Sequence, residues 1–116
     1  MADPVFPASA VQQLRDYCYV DDTVRGIFHA LTIQEATGEV FNIASGQAVS
    51  IRTMIEKVCT LTGFGKPHFG KIPYRPRENM NLIADISKAK KILKWDTKIS
   101  LEEGITRTLN SFDKHG

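Results

Sequence analysis

The chain has 116 residues, with 15 Lys plus Arg against 13 Asp plus Glu, 42% hydrophobic content and 24% charged content. Those values describe one ordinary soluble domain, able to bury roughly two-thirds of the surface its unfolded form exposes and so to hold a core without metal or disulfide. A net charge of +2 builds no strong field for a polyanion, and the length falls short of a nucleotide-binding half plus a substrate half, which together exceed about 100–150 residues.

Residues 1–13, with Pro4 and Pro7 among small neighbours, show no period and read as a loose lead-in to a domain over 14–116. The aromatic and apolar run 14–20 predicts a short strand, and Asp21 or Asp22 would cap the helix after it. Val24, Ile27, Phe28 and Leu31 then stand at i, i+3, i+4 and i+7, the spacing of one apolar helical face turned to a core. The run 40–44, closed by Ser45-Gly46, has the length of a buried strand. Ser50 caps an amphipathic helix carrying Ile51, Met54, Ile55, Val58 and Cys59, which Gly63 and Gly65 end. Pro67, Gly70, Pro73 and Pro76 restrict the next stretch to an edge strand or extended loop.

Residues 81–84 predict another short strand. Asp85 or Ser87 caps a lysine-rich helix burying Ala89, Ile92 and Leu93. Ser100 with Glu103 makes a capping box, opening a last helix with Leu101, Ile105, Leu109 and Phe112 inward. The expected fold is a small α/β domain with short strands and about four helices. No apolar run is long enough to span a membrane, and the amino terminus lacks a basic-then-apolar leader, so the expected compartment is the cytoplasm. Cys18 and Cys59 read as small buried hydrophobes in a reducing environment.

Chemistry is sparse. The glycines 63, 65 and 70 do not make a dinucleotide loop, because His68 stands where the third glycine belongs and a helix precedes the segment where a strand is required. His29, His68 and His115 are too scattered for metal ligation, and no Ser or Cys has a local triad signature. Asp21 and Asp22 suit a helix start, and the lysines at 88, 90, 91 and 94 suit a solvated face, with no nucleic-acid role. Arg15 and the pair Arg75 and Arg77 carry more information: a guanidinium fork matches phosphate oxygens, and two forks on loops of one face could clamp a diphosphate. The plainer account pairs Arg15 with Asp16 or Asp22, and Arg77 with Glu78.

Read in order, the blocks Arg15-Asp16-Tyr17-Cys18-Tyr19-Val20-Asp21-Asp22, Val40-Phe41-Asn42-Ile43-Ala44-Ser45-Gly46, Val49-Ser50-Ile51, Arg75-Pro76, Ala84-Asp85-Ile86-Ser87-Lys88-Ala89 through Trp95, and Ile99-Ser100-Leu101-Glu102-Glu103-Gly104-Ile105 resemble a known family. It is the carboxy-terminal part of the NAD(P)-dependent nucleotide-sugar epimerases and dehydratases, the extended short-chain dehydrogenase/reductase class.

The resemblance implies a substrate-holding domain. The family's Rossmann half, with its cofactor loop and Tyr-x-x-x-Lys pair, has no counterpart in these residues: Tyr17, Tyr19 and Tyr74 are followed four positions on by Asp21, Thr23 and Glu78. By the same resemblance Arg15 and Arg75 hold the diphosphate of a nucleotide sugar, with no catalytic residue and no cofactor site in this chain, NAD or NADP serving the parent. Arg77 stands where the family usually has glycine and is a further candidate anion contact. Asn42 and Gly46 are expected to set strand and turn geometry. The expected partners are a nucleotide sugar and a Rossmann-type cofactor domain. The alternative is a self-associating interaction or scaffold module that keeps the fold without the substrate.

Overall fold

The computed structural model describes residues 5–8, 11–74 and 79–115, with side chains through Phe112. It has the expected class, short strands with helical segments, distributed over two compact units.

The first unit comprises residues 1–15, 48–82 and 105–116. Its three-stranded sheet places β2 (Leu14–Arg15) between β3 (Val49–Ser50), antiparallel, and β5 (Asn81–Leu82), parallel. The helix α2 (Ile51–Thr62) leaves β3 directly, because Ser50 is extended and its hydroxyl accepts from the Thr53 N–H at 3.0 Å. Two more first-turn donors are met by the chain leading into β2: Ile51 N–H donates to the Gln13 carbonyl and Arg52 N–H to that of Val11, at 3.0 and 2.8 Å. Gly63, in the left-handed region at φ 70°, closes the helix as expected, its N–H donating to the Cys59 carbonyl. A second sheet pairs β1 (Val5–Pro7) with β4 (Lys66–His68) in parallel. Within the expected lead-in over 1–13, residues Val5–Pro7 are thus a strand. Pro7 and Pro67 are tolerated because a two-stranded sheet has only edges, where a missing N–H leaves no ladder broken.

The second unit comprises residues 16–47 and 83–104. Its core is Ala36, Ile86, Ala89, Leu93 and Trp95, with Cys18, Ala30, Ile33, Phe41, Ile43 and Ala84 packed against it. The helix α1 (Val20–Thr32) is followed by a 3₁₀ turn, Gln34–Ala36. The lysine-rich segment is helical from Ser87 and has π geometry over Ala89–Leu93, ending at Lys94 in the left-handed region at φ 54°. Ala89 and Leu93 are fully buried while Lys88, Lys90, Lys91 and Lys94 face solvent, as expected. The helix α3 (Leu101–His115) opens on Ser100, whose hydroxyl accepts from the Glu103 N–H at 3.1 Å.

Several expectations are corrected. β2 ends at Arg15, and α1 begins at Val20 after Tyr19, so the two aspartates lie in its first turn and do not cap it. Val24, Ile27, Phe28 and Leu31 are exposed, and the positions of α1 that are buried are Asp22 and Gly26. Helical spacing revealed a stripe; burial needs a covering surface, and the described residues supply none over it. The run 40–44 forms no ladder, since among the described residues no strand lies beside it. Phe112 is likewise exposed, whereas Ile105 is buried.

Candidate functional site

Arg15 occupies the central strand of the three-stranded sheet, opposite Val49 on one side and Leu82 on the other. It is half-buried, and its Nη1 donates to the Leu14 carbonyl at 2.8 Å. Arg75 and Arg77 lie outside the described residues. The chain on either side of them is tied to the segment that carries Arg15. Ile72 N–H donates to the Ala8 carbonyl at 3.0 Å, and Gln12 N–H donates to the Tyr74 hydroxyl at 3.0 Å. Beyond the gap, Leu14 N–H donates to the Met80 carbonyl at 2.7 Å, and β5 runs alongside β2.

Asp16, the next residue, organises a polar site within the second unit. Its Oδ1 accepts from the N–H and hydroxyl of Ser45, and its Oδ2 from Gly46 N–H at 2.8 Å and Ala84 N–H at 3.4 Å. Ser45, Gly46 and Ala84 are among the residues lining a cleft of about 440 Å³, with residues 47 and 85–87, Lys90, Asp96 and Thr97. One carboxylate therefore ties the turn at 45–46 to Ala84. Gly46 needs φ 74°, and a Cβ there would meet the Ile86 side chain at 3.0 Å, so its role is turn geometry, as expected. Asn42 sets the neighbouring chain by donating its Nδ2–H to the Asp85 carbonyl at 3.3 Å.

Asp22 is the other carboxylate that spacing did not explain. It is 2% exposed and accepts from Arg25 Nη2, Lys98 N–H and Ile99 N–H, each at 3.0 Å. Burial pushes its acidity down, but the hydrogen bonds from Arg25 and the two backbone donors outweigh it and hold the carboxyl below its usual value. Trp95 Nε1–H donates to the Asp22 carbonyl at 3.0 Å, and Arg25 lies over the indole and donates to the Asp96 carbonyl. This cluster is a structural lock. A partner 76 residues away leaves no local signal.

The remaining candidates resolve simply. Among the described residues no group of three or more His, Cys, Asp or Glu side chains could hold a metal ion. His29 Nδ1 lies 2.8 Å from the Leu93 carbonyl. Both cysteines are free; burial pushes the Cys18 thiol up, against the Thr23 hydroxyl bonded to it. Lys88 pairs with Glu39 at 2.6 Å and Lys90 with Asp96 at 3.6 Å. No helix among the described residues is long and apolar enough to cross a membrane.

The fold is that of the carboxy-terminal, substrate-side part of larger two-domain epimerases and dehydratases. The match with known proteins makes this specific: residues 3–108 correspond to the GDP-mannose 4,6 dehydratase family, and the chain belongs to it. It is 37% identical over 99 residues to UDP-glucuronate 4-epimerase of Thermodesulfobacterium geofontis, covering 84% of this chain and 30% of that protein. The structure superposes on UDP-glucose 4-epimerase of Thermotoga maritima with UDP-glucose at a TM-score of 0.83 and 32% identity, over 97% of this chain and 35% of that one. For UDP-glucuronic acid 4-epimerase of Bacillus cereus in complex with UDP-glucuronic acid and NAD the values are 0.81 and 29%, over 95% and 36%. The chain thus spans about a third of the length of these relatives.

Proposed function

We propose that this chain is the nucleotide-sugar-binding part of an NAD(P)-dependent epimerase or dehydratase, gripping the diphosphate through Arg15 and Arg75. The observation that carries the reading is the anchoring of both flanks of the 75–78 segment to residues 8–15, through Ala8, Gln12 and Leu14. Arg77 adds positive charge beside that site. Each guanidinium would contribute charge-assisted hydrogen bonds worth about 1.5–3 kcal/mol. A diphosphate so held orients its sugar for a reaction carried out elsewhere in the parent, where positioning lowers the barrier by several kcal/mol.

Among the described residues the glycines do not make a dinucleotide loop. The glycines at 63, 65 and 70 sit in the turn that closes α2 and around β4, not between a strand and a helix. The relatives solved with NAD support its use by the parent, and a Rossmann-type domain as the partner that carries the chemistry. In this reading the chain alone binds without turnover, and its free cysteines suit the cytoplasm.

Calorimetric titration with UDP-glucose, UDP-glucuronate and GDP-mannose tests it. Binding weakened by salt, and about 10-fold to 150-fold weaker in Arg15→Ala and in Arg75→Ala, is the expected result. Equal affinity in all three proteins removes the assignment.

A further inference from the structure

We propose that Asp16 is a positioning residue for Arg15, fixing the strand end that carries the guanidinium by gathering the turn at 45–46 and Ala84 on one carboxylate. Arg15 is the last residue of β2, and its partners across the sheet are Val49, which opens β3, and Leu82, which closes β5. At this end of the sheet β2 and β5 therefore leave and β3 enters, side by side. Strands of two residues carry few ladder hydrogen bonds, so by themselves they set the direction of the chain beyond them poorly.

The donors to Asp16 lie on the continuations of those same strands. Ser45 and Gly46 shortly precede Val49, and Ala84 shortly follows Leu82. Each carboxylate oxygen has two of them: the N–H and hydroxyl of Ser45 on Oδ1, the N–H groups of Gly46 and Ala84 on Oδ2. One side chain, directly after Arg15, thus holds the continuations of all three strands together. A negative charge in that place works against an anionic ligand by Coulomb's law, so the benefit it brings is geometric. The guanidinium is sensitive to that geometry. Arg15 Nη1 donates to the Leu14 carbonyl at 2.8 Å, so the fork follows the backbone of β2, and two-pronged phosphate recognition depends on the direction of the fork as well as its distance. This inference rests on the assignment of Arg15 to the diphosphate.

Calorimetric titration of the full chain with UDP-glucose tests it, at a temperature where far-ultraviolet circular dichroism shows each variant folded. Asp16→Asn is expected to bind about 10-fold more weakly than the parent. Removal of a negative charge would alone strengthen the binding of an anion, so the sign separates positioning from electrostatics. In the Arg15→Lys background, where a point charge replaces the planar fork, the same change should weaken binding by less than about 2-fold. Gly26→Ala, which strains the packing on Ile43, is expected to keep the parent's affinity, so lost stability is not the cause. Should Asp16→Asn unfold, Ser45→Ala takes its place with the same expected direction. Equal or tighter binding by the folded Asp16 variant, a loss just as large in the Arg15→Lys background, or an equal loss in Gly26→Ala overturns the positioning role and leaves Arg15 assigned. Parental affinity in Arg15→Ala overturns the diphosphate assignment and this inference with it.

Discussion

Asp16 holds Ser45 twice, accepting from its backbone N–H at 2.7 Å and from its hydroxyl at 2.6 Å. With Gly46 and Ala84 on the second oxygen, a half-buried carboxylate has four donors and a loop and a neighbouring segment depend on it. Both oxygens are needed as acceptors. Asp16→Asn keeps the shape but turns one acceptor into a donor that faces an N–H. A loss of about 1.5–3 kcal/mol is expected, measured as a shift in the urea midpoint with the slope unchanged. An unaltered midpoint would show that the carboxylate is dispensable.

Asp22 gives stability its pH dependence. Its carboxyl titrates lower in the folded chain than in the unfolded one, so its contribution is complete above the unfolded value of 3.8 and is lost as pH falls through the lower folded value. Asp85, exposed and held down by the Ser87 hydroxyl and N–H, acts in the same window. Asp22→Ala removes the partner of buried donors and is expected to cost about 3–5 kcal/mol near neutrality. Asp22→Asn should flatten the fall in stability below pH 4; a fall as steep as in the parent would assign it to other groups.

Gly26 and Ile43 form a pair in which neither can grow. Alanine improves helix propensity by about 1 kcal/mol, but its Cβ would lie 2.8 Å from Ile43 Cγ2 and 3.0 Å from Cδ1. Overpacking should win, and Gly26→Ala is expected to destabilise by about 1–3 kcal/mol. In the Ile43→Ala background the same change should become neutral or stabilising. Additive effects in that double-mutant cycle would argue against direct contact.

Lys94 ends its helical segment at φ 54°, where a side chain costs about 1 kcal/mol and glycine costs little. Lys94→Gly is expected to raise stability by about 0.5 kcal/mol after the entropy that glycine adds to the unfolded chain. A lowered melting temperature would mean that the lysine stem itself packs usefully.

Local signals were read well wherever the deciding physics is local. Ser50 and Ser100 were legible as caps because a cap is a side chain bonded to an N–H three residues on, and Gly63 as a stop because only its own φ is at issue. The lysine-rich segment was legible for the same reason: its apolar and charged positions sort by period alone. The family was legible from the order of its blocks along the chain.

What the tertiary structure alone decided is where each face and each charge finds its counterpart. The sequence marks Val24, Ile27, Phe28 and Leu31 as one stripe but does not say what covers it, and the unit instead packs on the small side of α1, at Gly26. The run 40–44 has the composition of a strand, yet a strand exists only beside another. Asp16 and Asp22 looked like surface partners for nearby arginines, whereas their donors come from residues 29 to 77 positions away, Arg25 excepted. Caps, turns and periodicity are set within a few residues, so the chain determines them by itself; burial and long-range pairing depend on which distant segments meet, and only the folded structure settles that.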